Sequence, residues 1–139
     1  MFELFEHKAD VGVRGSGKTL NEAFAECAKA MFSVMVELKG VEPREKIQVK
    51  IKARNLEELL LEWLNELLYQ SSSKEMVFSK FEPLIEKGKN GFELNGFVFG
   101  ELANQEKHEF RTEVKGATFS GLKVKEEKGL FVVQCIVDV

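Results

Sequence analysis

The sequence predicts an α+β fold in which two helices pack on one face of a mostly antiparallel sheet, in two layers. Its 139 residues are enough for one hydrophobic core and few for two. Two segments space their apolar residues as helices do, and most of the remaining chain alternates apolar and polar residues as strands do. Strands that follow one another directly favour antiparallel pairing. Residues 1–139 are therefore expected to form a single domain.

The first third of the chain predicts a strand followed by a helix. Residues 2–15 alternate loosely and are expected to form a strand with a break before Asp10. Thr19 and Glu22 form a capping-box pattern, after which apolar residues recur at helical spacing. This helix is expected to stop before Gly40 and Pro43.

A half-buried strand and a second helix are predicted next. Residues 46–52 alternate lysine or glutamine with isoleucine or valine, which indicates a strand with a basic outer face. Asn55 and Glu58 can cap a helix whose leucines and Trp63 form a broad apolar face. The serines at 71–73 are expected to lie in the frayed end of this helix.

The second half of the chain is predicted to consist of strands. A hairpin of two strands is the simplest interpretation of the next apolar segments, and a polar loop and three more strands follow it. The ranges are 76–85 and 92–99 for the hairpin, 103–109 for the loop, and 110–119, 122–126 and 130–138 for the later strands.

Charge and cysteine content exclude several classes of protein. The chain has 20 Lys and Arg against 23 Asp and Glu, a net charge of −3, which argues against strong autonomous binding to nucleic acid. Cys27 and Cys135 lie far apart with no CxxC pair, which argues against a zinc ribbon or a disulfide scaffold. No signal-peptide pattern or long apolar run is present. We expect a cytoplasmic protein that does not contact membranes.

The two aspartates form a candidate cation site. The chain holds 21 Glu but only two Asp, Asp10 and Asp138. They come together only if the first and last strands are neighbours in the sheet, in which case their carboxylates, backbone carbonyls and the terminal carboxylate of Val139 could bind a hard divalent cation. The alternative is that Asp10 is an ordinary turn residue and that Asp138 lies in a solvated chain end. His7 could add a ring nitrogen or orient Asp10, or be purely structural.

Two other features have both a functional and a structural interpretation. Residues 12–19, GVRGSGKT, match the phosphate-binding pattern GxxxxGK[ST], so a P-loop hydrolase that uses Lys18 is one hypothesis. The alternative is a glycine turn that leads into the Thr19 cap. Lys115 is either a surface charge or, beside a carboxylate site, a contact for a phosphate. No nucleophile with a partnering base is visible, because the two cysteines are expected in the core.

Four blocks of sequence, in order and at matching spacing, resemble the archease family, whose members assist the GTP-dependent RNA ligase of tRNA splicing. The blocks read FEHKADVGVRGSGKTLNEAFAECAKAMF, LLLEWLNELLY, GELANQEKHEFRTEVKGATFSGLKV and IVDV. The resemblance covers nearly the whole chain and explains the P-loop match as the family's glycine turn before the first helix. Two departures stand out: Lys8 replaces the threonine of the family's EHTAD, and Phe119 and Ser120 replace the first two residues of its YHGL.

The resemblance implies a function and a set of site residues. It implies a non-enzymatic activator that promotes guanylylation and multiple turnover of the RNA ligase. It also implies a divalent metal, calcium, magnesium or manganese, held by Asp10, Asp138 and Val139, and a functional lysine at Lys115 near the ligase active site. A chaperone or adaptor for tRNA-modifying enzymes is the alternative, and it would tolerate loss of both aspartates.

Overall fold

The computed structural model describes all 139 residues and contains two α-helices, seven β-strands and one 3-10 turn. The elements are β1 (Phe2–His7), β2 (Asp10–Gly17), α1 (Leu20–Met35), the 3-10 turn (Leu38–Gly40), β3 (Glu45–Ala53), α2 (Leu56–Lys74), β4 (Met76–Gly88), β5 (Gly91–Leu102), β6 (Gly116–Glu127) and β7 (Leu130–Asp138). No helix combines the length and the apolar character needed to span a bilayer.

The predicted α+β class is confirmed, and every strand pairing is antiparallel. The strands form two sheets, one in the order β1-β2-β7-β6 and the other in the order β3-β5-β4. Both helices contact strands of both sheets. Alternation predicts which segments are strands, but it carries no information on which strands share a sheet, so the division into two sheets comes from the structure alone.

Both helices begin where the sequence predicts. The Thr19 side chain accepts a hydrogen bond from the Glu22 N–H at 3.1 Å, and Asn55 accepts one from the Glu58 N–H at 2.9 Å. These bonds satisfy N–H groups that have no partner inside the helix. Helix α1 ends at Met35, before Gly40 and Pro43 as predicted, where Val36 leaves the helix and forms a β-bridge with Phe110.

The prediction that the serines fray the end of α2 is wrong. The helix continues to Lys74, and the buried Ser71 hydroxyl donates a 2.6 Å hydrogen bond to the carbonyl of Met76. Glu75 then adopts a left-handed conformation, φ 53°, that closes the helix. Serine content alone predicted a frayed helix terminus, whereas the hydrogen bond from Ser71 to the following strand orders it.

One cluster of 25 buried residues draws on both helices and both sheets. Trp63 lies at its centre, fully buried, and its indole N–H donates to the Phe24 carbonyl at 3.0 Å. This bond gives the one polar group of the ring a partner inside the core. It also ties α2 to α1.

One strand prediction is confirmed and two need correction. Residues 2–15 are interrupted between His7 and Asp10 as predicted, and the two parts pair as the hairpin of β1 and β2, with Lys8 at φ 54° in the turn. The segment 110–119 is not a continuous strand, because only Phe110 forms a bridge before β6 begins at Gly116. The separate strand predicted at 122–126 is part of β6, which carries a bulge after Thr118.

The structure excludes the P-loop hypothesis and also the glycine-turn alternative. Residues 12–17 lie in β2, paired with β1 and β7, so their N–H groups do not form a loop around a phosphate. Lys18 follows the strand, and its backbone N–H donates to Glu22. A Cβ at Gly15 would lie 2.3 Å from the Ala23 carbonyl oxygen. The glycine therefore allows α1 to approach β2 closely.

Candidate functional site

The two aspartates come together at one end of the four-stranded sheet. Strands β2 and β7 pair in antiparallel register up to Val11 opposite Val137. One further step in the same register places Asp10 beside Asp138. The neighbouring first and last strands that the candidate site requires are therefore present, since β2 belongs to the N-terminal hairpin and β7 ends the chain.

The tight turn between β1 and β2 brings His7 to the same end of the sheet. His7 and Asp10 are the last pair of this hairpin, which closes through Lys8 and Ala9. The Nδ1 atom of His7 is buried and has no hydrogen-bond partner. A buried nitrogen without a partner is rare in a folded protein, because the lost contact with water is not replaced. This nitrogen is therefore available to a group that binds at this end of the sheet.

Strand β6 brings Lys115 to this end from the other side. Gly116 pairs with Asp138, and the Lys115 N–H donates to the Asp138 carbonyl at 2.7 Å. Asn65 of α2 holds the start of β6, since its side chain accepts from the Ala117 N–H at 2.8 Å and donates to the Ala117 carbonyl at 3.3 Å. Lys115 is thus fixed next to the end of β7 by backbone and side-chain bonds.

The segment before β6 is held against the end of α1. Arg111 donates its N–H to the Met35 carbonyl at 2.8 Å, and Thr112 donates to the Val34 carbonyl at 3.0 Å. Val114 is buried, with 6% of its surface exposed, whereas the next residue, Lys115, is exposed. The apolar neighbour anchors the chain, which leaves the ammonium group facing solvent.

The acidic groups at this end of the sheet have no cationic partner in the chain. No Lys, Arg or His nitrogen forms an ion pair with Asp10, Asp138 or the terminal carboxylate. No group of three His, Cys, Asp or Glu side chains is arranged to hold a metal ion. A cation here would therefore need main-chain oxygens besides the two aspartates, and Val139 offers its carboxylate. Such an all-oxygen donor set fits a hard divalent ion.

A shallow groove of about 570 Å³ adjoins Lys115. It lies between the end of α1, the last turns of α2 and the segment 113–115. Tyr69, the only tyrosine of the chain, lines it and is 64% exposed. The lysine therefore stands at the border between the carboxylate end of the sheet and a groove with an exposed aromatic ring.

The cysteines take no part in this site. Both are free and buried, as predicted. Burial raises the pKa of the Cys27 thiol well above its ordinary value, and it raises the pKa of Cys135 to about 11. Both thiols stay protonated at neutral pH, so neither can act as a nucleophile.

Sequence reasoning missed a buried polar network around Glu101. Its carboxylate accepts from Lys107 Nζ at 2.7 Å, from the Glu42 N–H at 2.9 Å and from His108 Nε2 at 2.9 Å. His108 Nδ1 accepts from the Asn104 N–H at 3.0 Å, which places the ring proton on Nε2. The hydrogen bond from Lys107, followed by that from Glu42, lowers the pKa of Glu101 to about 2.

No sequence signal distinguishes this carboxylate from the other glutamates. The network fixes the loop that joins β5 to the segment before β6. The network lies away from the candidate site. Its link to the site is that this loop leads into the segment that carries Lys115.

Comparisons with known proteins identify the family of this fold. The model of the archease protein family matches residues 2–139. The chain belongs to the archease family. Its archease relative from Sulfurisphaera tokodaii is 42% identical over 99% of this chain and 98% of the relative. The archease of Thermococcus kodakarensis is 41% identical over 99% of this chain and 97% of the relative.

Two solved structures resemble this archease fold. The solution structure of Protein 1598 from Methanobacterium thermoautotrophicum has a TM-score of 0.88 and 37% identity, and the match covers 99% of this chain and 98% of that one. A crystal structure from Thermotoga maritima, described as an archease and possible chaperone, has a TM-score of 0.55 at 20% identity and covers 97% and 94% of the two chains. The second likeness shows the fold alone.

Proposed function

We propose that this chain is a non-enzymatic activator of the GTP-dependent RNA ligase of tRNA splicing. It promotes guanylylation of the ligase and repeated turnover through a divalent cation bound at the carboxylate end of the four-stranded sheet. Family membership supports the partner. The observation that carries the proposal is the register of β2 and β7, which brings the only two aspartates of the chain together beside Lys115.

Each residue at this end has a role in the proposal. Asp10 and Asp138 supply carboxylate oxygens, and Val139 supplies the terminal carboxylate as a third acidic group. His7 lies opposite Asp10 on the paired strand, and its Nδ1, which has no partner within the chain, would turn to the Asp10 carboxylate or to the site when the cation binds. A bound divalent ion, calcium, magnesium or manganese, would neutralise the phosphates of the nucleotide.

Lys115 supplies a positive charge at this end of β6. An ammonium group beside the carboxylates can hold an anionic oxygen of the nucleotide or of the ligase while the acidic groups hold the cation. Its exposure at the border of the groove lets a docked partner reach it. The groove and Tyr69 would then contact the ligase surface around its active site.

A second candidate function is a chaperone or adaptor for tRNA-modifying enzymes. It is favoured by the exposed apolar side chains Leu102, Phe110 and Tyr69, which are 62%, 38% and 64% exposed. Such surface can bind an unfolded segment or a client enzyme. This function requires neither aspartate, so the two candidates differ in their response to the same substitution.

The experiment that separates them measures transfer of labelled GMP from GTP to the ligase. The ligase is incubated with GTP and a divalent salt, together with wild-type protein, Asp138→Asn or Glu127→Gln. Glu127 lies at the opposite end of the same sheet, is 55% exposed and pairs only with Lys125, so it controls for loss of one surface charge.

We expect the wild type and Glu127→Gln to accelerate guanylylation equally and Asp138→Asn to have no effect. Equal acceleration by all three proteins would show that the carboxylates are dispensable. It would move the function to a docking surface, as the chaperone or adaptor hypothesis requires.

A further inference from the structure

The outer face of the three-stranded sheet carries aromatic rings and lysines. On the inner face, Val49, Phe81, Leu94 and Val98 are buried in the core cluster. The alternate residues point away from the helices. We call this surface the lysine–phenylalanine face, and it consists of Lys46 and Lys50 of β3, Lys80 of β4, and Phe97 and Phe99 of the central strand β5.

The two rings lie side by side on the central strand with a lysine over each. Phe97 and Phe99 are two residues apart, so both project from the same side of β5. Lys46 Nζ lies 4.6 Å from the centroid of the Phe97 ring, and Lys80 Nζ lies 4.8 Å from that of Phe99. These distances are within the range of a cation–π contact. Both rings are only partly buried.

A bulge in β4 creates this arrangement. Phe78 pairs with Gly100 and Lys80 pairs with Phe99, so the extra residue Ser79 stands between them. Because of the extra residue, Phe78 and Phe81 both face the core while Lys80 turns outward. The ammonium group of Lys80 therefore lies over the Phe99 ring.

The charge of the face is positive where the rings lie. Glu82 is paired with Lys80 at 3.5 Å, and Glu93 is paired with Lys52 at 3.4 Å. Neither Lys46 nor Lys50 has a carboxylate within 4.0 Å. Two lysines without carboxylate partners thus stand on the strand next to two aromatic rings.

We propose that the lysine–phenylalanine face binds single-stranded RNA. The bases displace the Lys46 and Lys80 ammonium groups from the rings and stack on Phe97 and Phe99, and the phosphates between them pair with Lys46 and Lys50. Sheet surfaces with aromatic residues on central strands bind unpaired bases in this way, because every base has a π face. The choice of RNA as the ligand rests on the proposed function. The description of the face as a stacking surface is independent of that function.

The net charge of the whole chain limits the strength of this interaction. With −3 overall, the protein repels a polyanion everywhere except at local lysine clusters. The affinity is therefore expected to be modest and to fall steeply with salt. It becomes effective when another protein already holds the RNA nearby.

The test uses fluorescence anisotropy of a labelled 12-nucleotide oligouridylate and of a labelled RNA duplex, at several salt concentrations and without any ligase. Full-length wild type is compared with Phe97→Leu/Phe99→Leu, Phe97→Tyr/Phe99→Tyr and Lys46→Ala/Lys50→Ala. Lys123→Ala/Lys125→Ala, on exposed positions of β6, is the charge-matched control. Circular dichroism checks that each variant is folded.

We expect the wild type and the β6 control to bind the single strand and to bind the duplex more weakly. The leucine variant loses at least about fivefold in affinity and the tyrosine variant retains binding. The Lys46→Ala/Lys50→Ala variant binds more weakly and lowers the slope of log K against log salt by about 1.4.

Three results would overturn the proposal. The first is absence of binding at low salt, which would leave the face as a surface for protein contacts. The second is equal loss in the β6 control, which would indicate net charge alone. The third is unchanged binding by the leucine variant. Because no ligase is present, none of these results depends on whether the chain activates one.

Discussion

Glu101 is a single residue whose side chain holds two separate segments of the chain in place. Its side chain is buried, and it receives hydrogen bonds from Lys107, from His108 and from the backbone of Glu42. A buried carboxylate is tolerated only when such bonds replace its hydration. The residue therefore links the loop after β5, and a segment before β3, to the end of β5.

Replacing Glu101 by glutamine tests this network. At pH 7, Glu101→Gln should lower the free energy of unfolding by on the order of 2 kcal/mol, because Lys107 loses the nearer of its two carboxylate partners and one donor is left unpaired. Glu127→Gln, at an exposed pair, should change it little. Urea unfolding curves measure both.

The difference in the free energy of unfolding between wild type and Glu101→Gln should change with pH in one direction. The pKa of Glu101 is lowered in the folded state from 4.5 to about 2. The residue therefore contributes its full share of the stability at any pH above about 4.5. That contribution is lost as the pH falls from about 4.5 towards 2. The gap between wild type and Glu101→Gln should therefore shrink over this interval, and a gap that stays constant would contradict the assignment.

Asp10 and Asp138 act, in the proposed function, as a pair of oxygen donors. We expect Asp10→Asn to weaken binding of a divalent cation to the isolated protein by at least about tenfold, because the amide removes one negative charge from the site. Calorimetric titration with magnesium, manganese and calcium measures this. Glu6→Gln, one residue before His7 on the same hairpin, is the control. Equal affinities for wild type and Asp10→Asn would exclude the site.

At the scale of elements, the packing of α1 on β2 explains a motif that resembles a phosphate-binding loop. A Cβ at Gly15 would meet the backbone of Ala23 and Cys27 at 2.3 Å. Backbone atoms of a packed helix cannot move aside as a flexible side chain can. Gly15 and Gly17 thus serve the packing of α1, Gly12 makes room for the Phe5 ring of β1, and the pattern GxxxxGK[ST] arises without a nucleotide.

The substitution Gly15→Ala should destabilise the protein by about 1–3 kcal/mol, since the methyl group forces α1 away from the sheet. Gly40→Ala is the matched control, because a Cβ there would meet only the Lys107 carbonyl oxygen, at 3.9 Å. Thermal unfolding followed by circular dichroism should show a clear drop in Tm for the first variant alone. Equal Tm values would refute the close approach.

Elements with strong local signals could be predicted from the sequence. Thr19 and Asn55 cap the two helices as expected, because a side chain that accepts from the third following N–H leaves a local pattern. The end of α2 and the path of 110–115 could not, because a bond to the following strand decides the first and a bridge to a distant segment decides the second. The Ser71 hydroxyl bond to Met76 and the bridge from Val36 to Phe110 are examples.

At the scale of the whole molecule, the order of strands creates the candidate site. Only because β2 and β7 are neighbours do the first and last parts of the chain meet, with Lys115 of the adjoining segment beside them. Composition singled out Asp10 and Asp138, residue patterns made Val139 and Lys115 candidates beside them, and the family resemblance implied a role for all four. The register that joins them depends on pairing across more than a hundred residues, which no local pattern encodes.

The two sheets divide the molecule into surfaces with different proposed partners. The end of the four-stranded sheet carries the acidic groups and Lys115, and the groove with Tyr69 lies next to it. The outer face of the three-stranded sheet carries Phe97 and Phe99. A ligase bound at the first surface and its RNA at the second would be held by one small protein.

The most direct test of the account counts ligation events per ligase molecule. RNA ends are joined with the GTP-dependent ligase in limiting amount, with GTP and a divalent cation, in the presence of wild type, Asp138→Asn or Lys115→Ala, each checked for folding. The account predicts many turnovers with the wild type and about one with either variant. Multiple turnovers with Asp138→Asn equal to those with the wild type would contradict it.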